Sequence, residues 1–193
     1  MTDSERRFEP ERSFVSRCEK THAMQPMTTT ITIRRGTPED AASIVSVWQA
    51  IVAEKIHSAI DYPFTSERER EYLTSLSERE GTFLAETAER RVVGIQSLDQ
   101  WTKLFRSMQH VGQLGTHILR EWRGRGVGKQ LATHTLAFAR SAGYEKLVIF
   151  VRASNTGARA FYAGRGFIPC GRLARQVKID GEYDDEVVME MLL

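Results

Sequence analysis

Cysteine is nearly missing from the 193 residues: there are two, Cys18 and Cys170, far apart in the chain. So sparse a pair builds neither a disulfide framework nor a metal spacing, and it suits a reducing cytoplasm. Histidine does not supply the missing ligands. His22, His57, His110, His117 and His134 form no H-x-x-x-H pair and no Cys/His cluster, so no metal is expected. Long apolar runs are absent too. None approaches the ~20 residues of a bilayer span, and the charged N-terminus has no signal-peptide apolar region. The expectation is a cytoplasmic protein without a membrane partner. Charge of one sign is lacking: the net value is +2, too balanced to argue for nucleic acid. There is no internal repeat and no low-complexity segment.

What is present is concentrated in one stretch, Arg123-Gly124-Arg125-Gly126-Val127-Gly128-Lys129, which runs directly into a helical pattern. Glycine lets a ligand approach the backbone and takes positive φ at little cost. The first N–H groups of a helix have no partner within it and sit at the positive end of its dipole. A glycine-rich turn feeding a helix is therefore an anion site, most often for phosphate. The alternative is a plain tight turn with a solvated basic edge. A P-loop is excluded, because its first glycine would fall on Arg123 and its hydroxyl on Gln130. A dinucleotide fingerprint is excluded, because it needs glycine at Lys129. What remains is Arg-x-x-Gly-x-Gly, with Arg123, Gly126 and Gly128 in register.

Residues 1–29 read as a tail, since their mixed charges bury too little to offset ordering entropy. Residues 30–193 read as one domain. Ile31–Arg34 is a strand. Thr37-Pro38-Glu39-Asp40 is a helix start, followed by Ile44, Val47, Trp48 and Ile51 at helical spacing up to about Lys55. Ser66 opens a second helix through about Ser77. Thr82–Glu86 and Arg91–Leu98 read as a hairpin. Residues 99–108 are ambiguous, with Trp101, Leu104 and Phe105 extending the strand or capping the core. Gln109–Leu119 is a strand whose interior Gly112 and Gly115 mark a bulge or a close backbone approach. A helix follows from Gly126 to about Ala142, with Val127, Leu131 and Phe138 on one stripe, stopped by Gly143. Lys146–Val151 is a buried strand, Asn155–Gly164 a short helix, and Arg172–Ile179 with Tyr183–Leu193 a hairpin about Asp180-Gly181. The order β-α-α-β-β-β-α-β-α-β-β implies an α+β fold, a mixed sheet with helices packed on it.

The glycine turn lies between a strand and a helix. About thirty residues on comes Asn155-Thr-Gly-Ala158-Arg-Ala-Phe161-Tyr162-Ala-Gly-Arg-Gly166-Phe167. This combination resembles the two central motifs of the GNAT superfamily of acyl-CoA-dependent N-acetyltransferases in order, spacing and local structure. The resemblance covers about residues 30–193. It implies a twisted central mixed sheet flanked by helices, with acetyl-CoA as acyl donor. It implies that N–H groups from Gly124 through Lys129 hold the diphosphate, with Arg123 and Arg125 adding charge. A strand bulge at Thr116, His117 and Ile118 would pair with the pantetheine arm as an added strand does. Asn155 would contact the same arm. A homodimer is a further implication of the family.

Tyr162 matches the family's usual general acid. A phenol with a pKa near 10 can protonate a departing thiolate of pKa near 8.5. The plain alternative is a core aromatic pair, Phe161-Tyr162. The oxyanion would meet a backbone N–H near Ile118 or Leu119. The base stays open. The family's carboxylate position on the strand before the turn holds Gln113, which takes no proton. His117 is the nearest titratable group, and Glu54, His57 and Asp99 are alternatives acting through water. The acidic run Asp180, Glu182, Asp184, Asp185, Glu186 either draws a cationic amine or forms a solvated turn. The resemblance leans towards enzymes that acetylate small, amino-acid-like primary amines by direct attack in a ternary complex. A protein N-terminus or lysine acceptor is the alternative, and a non-catalytic acetyl-CoA-binding module is a second.

Overall fold

The computed structural model describes residues 30–193; the expected tail lies outside them. Seven strands form one sheet: β1 (Ile31–Arg35), β2 (Gly81–Thr87), β3 (Val92–Gln100), β4 (Val111–Ile118), β5 (Lys146–Arg152), β6 (Ile168–Ile179) and β7 (Glu182–Leu192). Their order across the sheet is β1-β2-β3-β4-β5-β7-β6. Only β4 and β5 run parallel. Four helices join them: α1 (Ala41–Glu54), α2 (Ser66–Ser75), α3 (Val127–Ser141) and α4 (Thr156–Ala163). The mixed sheet and the element order are those expected.

Local chemistry explains where the elements begin. Thr37-Pro38-Glu39-Asp40 forms a 3-10 turn, and α1 starts after it at Ala41. Asp40 accepts from the Thr37 N–H at 2.9 Å. Arg34 then forks onto Asp40 at 2.7 and 2.8 Å and donates through Nε to Glu86 at 2.7 Å. That network fastens β1, β2 and the start of α1 together. Thr65 caps α2 by accepting from the Arg68 N–H. The Asp180-Gly181 hairpin takes φ of 50° and 89°, the pair of positive values a two-residue turn requires.

Strand parity sorts the side chains onto two faces. On β3 and β4, Ile95, Ser97 and Asp99 lie opposite His117, Gly115 and Gln113. His117 meets Trp48 of α1 with ring centroids 4.4 Å apart, so α1 and α2 cover this face. Gly94 and Gln96 lie opposite Ile118 and Thr116 on the other face. A Cβ on Gly94 would come 3.4 Å from Leu131 of α3, so α3 covers that one. The stripe residues Val127 and Leu131 are buried there.

Two expectations need correction. The strand at Thr116–Ile118 contains no bulge, since β3 and β4 stay in unbroken register from Gly94↔Ile118 to Gln100↔Gly112. Instead β4 and β5 pair only as far as Leu114↔Ile149 and then part. Gly112 does mark a close approach, because a Cβ there would lie 2.9 Å from both Leu98 and Leu147. Of residues 99–108, Asp99 and Gln100 extend β3, but Trp101, Leu104 and Phe105 neither extend it nor cap the core: all three are exposed, and of them Trp101 stacks on Phe150.

Candidate active site

The glycine turn and the opened β4–β5 edge line one cavity of about 500 Å³. Gly124 and Gly126 take φ of 72° and 82°, and open space stands where each Cβ would be. Gly128 is held for another reason: a Cβ there would come 3.1 Å from both Ile118 and Phe161. That close seat brings the start of α3 against β4 and α4. No N–H from Gly124 through Lys129 donates to an acceptor among the described residues. The first turn of α3 also has no acidic residue and no side-chain cap. Six bare donors at the positive end of a helix are a fitting cradle for a diphosphate.

The flanking cations divide. Lys129 lines the cavity. Arg125 does not, and instead lies 5.6 Å from the Trp122 ring. Arg123 lines the cavity, but its guanidinium is engaged: it clamps Glu54 in two bonds of 2.7 and 2.8 Å, and Nε donates to the Ile118 carbonyl at 2.9 Å. Arg123 thus braces the end of β4 against α1 more than it offers free charge. Val127 contributes only its N–H, since its side chain is in the core. Arg165 is an addition not foreseen. It lines the cavity and stacks 3.5 Å above Phe161.

Beyond Leu114 the edge of β4 faces the gap. The Leu119 N–H donates to Val93 at 3.0 Å, so Leu119 is spent and is not an oxyanion donor. Along an antiparallel strand, bonding direction alternates residue by residue. The N–H groups of Thr116 and Ile118 therefore point away from β3, into the opening. Ile118 is the donor of the expected pair that stays available.

Tyr162 is 6% exposed and points to the same place. Its hydroxyl donates to Thr116 Oγ1 at 2.6 Å, and Gln96 Nε2 donates to that oxygen from β3, also at 2.6 Å. Burial raises the phenol's pKa, partly offset by Thr116, so the group keeps its proton. Asn155 caps α4, accepting from the Ala158 N–H at 3.0 Å, and lines the cavity as well. Its amide nitrogen is the part left for a ligand.

The opposite face carries a second cavity of about 260 Å³, walled by Trp48, Phe64, Tyr72, Ile95 and His117. Glu69 and Asp99 stand in it. Burial pushes the Glu69 carboxyl up to about 7; the Trp48 indole lowers it somewhat and the Asp99 charge adds to the rise. Burial raises Asp99 too, and the Tyr72 hydroxyl, which donates to it at 2.6 Å, offsets part of this. A third cavity of about 290 Å³ follows the gap and is lined by Asp99, Gln113, His117 and Tyr162 among others.

The expected base candidates fare differently. Burial, then the Arg123 charge, takes His117 down to about 4. The same two causes, in the same order, lower His57, which lines both the donor-side cavity and the one that follows the gap. Glu54 is held in the Arg123 clamp. In the acidic run, Asp180 is paired with Lys55, Asp184 with Arg152 and Asp185 with Arg172, so those carboxylates hold the hairpin. No group of three or more metal-ligating side chains is found among the described residues. No helix among them is long and apolar enough to cross a membrane.

Residues 46–167 match the sequence profile of the Acetyltransferase (GNAT) family. A Bacillus subtilis (strain 168) protein named "putative phosphinothricin acetyltransferase" is 22% identical over 159 residues, covering 82% of this chain and 97% of its own. A ribosomal-protein-alanine N-acetyltransferase from Brucella melitensis superposes with a TM-score of 0.77 at 23% identity, over 84% of this chain and 99% of its own. A Salmonella typhimurium "putative acetyltransferase" solved with its cofactor acetyl-CoA gives 0.78 at 17% identity, over 86% and 95%. The profile match spans most of the chain and contains the bare N–H cradle, the parted strands and Tyr162: the chain belongs to the acetyltransferase (GNAT) family and is an acetyl-CoA-dependent N-acetyltransferase.

Proposed function

We propose that the chain acetylates the primary amine of a small, amino-acid-like molecule by direct attack in a ternary complex. The observation that carries this is the pair of cavities at the parting of β4 and β5, one lined by the glycine turn and α4, the other by α1 and α2, with His117 in the wall of both. The donor side has the volume and the bare N–H groups for acetyl-CoA. The acceptor side, at about 260 Å³, falls below the ~300–1,000 Å³ of drug-sized ligand sites and suits a small molecule. The name of the Bacillus subtilis relative, which refers to the amino-acid analogue phosphinothricin, supports the same class.

In this reading Gly124–Lys129 hold the diphosphate and the Thr116–Ile118 edge receives the pantetheine arm. The Ile118 N–H meets the developing oxyanion, where a single preorganised donor is worth ~2.7–4 kcal/mol. Thr116 Oγ1 already accepts from Gln96, so its own proton can turn to the phenol oxygen. That releases the Tyr162 proton to the leaving sulfur. Neither motif contains a cysteine, and no acyl-enzyme step is invoked.

The test is turnover of acetyl-CoA against amino acids, phosphinothricin, polyamines, aminoglycosides and peptides. Small amines acetylated faster than peptides support the reading; faster peptides favour a protein acceptor. Tyr162→Phe should lower kcat by ~10²-fold or more, the usual share of a general acid, with the acetyl-CoA Kd unchanged. An unchanged kcat removes Tyr162 from the chemistry.

A further inference from the structure

The amine that attacks a thioester must be neutral, yet an aliphatic amine reaches the site as ammonium. Some group must take a proton, and Gln113 cannot. Directly across the strand pair from Gln113, in register, stands Asp99. The two side chains share the face covered by α1 and α2. Asp99 alone among the carboxylates lines both the acceptor-side cavity and the cavity that follows the gap to Tyr162. It therefore stands at the doorway between acceptor and donor. Resting on the small-amine reading, we propose that Asp99 is the catalytic base: its carboxylate binds the acceptor ammonium and takes one proton from it.

The surroundings support this assignment. From α2, the Tyr72 hydroxyl donates to one Asp99 oxygen at 2.6 Å, which fixes the carboxyl, and the Ser97 hydroxyl favours the carboxylate from the same strand. Glu69, also from α2, stands in the same cavity and adds negative charge there once it ionises, near pH 7. Glu80 and Lys103 act on Asp99 from the turns flanking β2 and β3, but they are largely paired with each other at 3.0 Å. Ser97 neighbours Asp99 on its own strand, and His117 faces it from β4. Arg68 stands at the cavity wall against Phe64, while Arg152 and Glu186 line the far side of the gap. Burial raises the Asp99 pKa, which makes its carboxylate a stronger base than an exposed one, whereas His117 has been made a weaker one.

The step balances. The ammonium gives one proton to Asp99, which later releases it to solvent. The neutral nitrogen bonds to the acetyl carbonyl carbon and the carbon–sulfur bond breaks. The sulfur takes the Tyr162 proton, and the second proton lost by the nitrogen restores the tyrosine. The products are the amide, the CoA thiol and one proton.

The experiment compares wild type, Asp99→Asn and Asp99→Asn/Gln113→Glu between pH 6 and 10. The acceptor is the one wild type uses fastest among the amino acids and phosphinothricin. Asparagine keeps an acceptor for the Tyr72 hydroxyl, and acetyl-CoA calorimetry confirms folding of each variant. Asp99→Asn should lose ~10²-fold or more in kcat/KM at pH 7, the usual share of a general base. The deficit should shrink as pH approaches the amine's own pKa, because the solvent then supplies neutral amine. The double variant, with its carboxylate moved across the strand pair, should recover at least tenfold. A pH-independent loss, or an Asp99→Asn rate within threefold of wild type, overturns the base. A wild type that binds acetyl-CoA and acetylates none of these small amines overturns the small-amine reading beneath it.

Discussion

Replacing Glu69 by glutamine should make the protein more stable at pH 8 and leave it almost unchanged at pH 4. Glu69 is 5% exposed, with its pKa raised from 4.5 to about 7, first by burial and then by the Asp99 charge against a partial offset from Trp48. The sign follows from which state holds the proton. Below pH 4.5 both folded and unfolded chains are protonated at this residue and the site costs nothing. As pH rises, the unfolded chain releases its proton first, so the folded state loses ground until it too ionises near pH 7. At 1.36 kcal/mol per pH unit, the gap amounts to about 3 kcal/mol, fully expressed above pH 8. Glutamine is nearly isosteric and never ionises, so the variant escapes this cost. For a domain of this size ~3 kcal/mol corresponds to roughly 6–12 °C in Tm. Urea unfolding of both proteins at pH 4 and pH 8 gives the difference directly, and other carboxylates cancel in the comparison. A variant that is less stable at pH 8, or whose advantage is equal at both pH values, refutes the argument that burial strains this carboxylate.

Gly126→Ala places a non-glycine residue at a φ of 82° and a methyl group in the open cradle; CoA binding should weaken at least tenfold, about 1.4 kcal/mol, by calorimetry. An unchanged Kd would mean that the diphosphate does not sit there. Asp40 has its pKa lowered from 3.8 to about 2, chiefly by the Arg34 guanidinium, against a burial effect of opposite sign. Its contribution is fully present above pH 3.8 and is lost as pH falls through about 2. Asp40→Asn should therefore cost about 2 kcal/mol at neutral pH, and the deficit should close in acid unfolding experiments.

The residues of the proposed donor half could be picked out in the sequence because they lie close together along the chain. Arg123 to Lys129 carry their own turn and their own helix start, and Tyr162 follows on a short helix within a recognisable run. The acceptor half was not legible, because strand register and helix docking assemble it. Gln96 gains meaning only when β3 pairs with β4 and sets it opposite Thr116. Asp99 was one candidate among several until the same register set it opposite Gln113, and Glu69 looked like one more surface charge on a helix rich in them. Arg123 was misjudged in its role for a related reason. Its partner Glu54 lies at the end of α1, far away in sequence, and no local pattern shows that the charge is already taken. The open edge at Thr116–Ile118 was expected from a bulge in the strand, but it arises where pairing with β5 stops at Leu114↔Ile149.

That parting has a kinetic consequence. In the proposed arrangement the coenzyme reaches the gap from a cavity lined mainly by the glycine turn and α4, and the amine from one lined by α1 and α2. Each substrate is then expected to bind without the other, which calorimetry with acetyl-CoA alone and with the amine alone checks. Substitutions on α2, which lines only the second cavity, should then alter which amine is admitted while the grip on the coenzyme stays as it is.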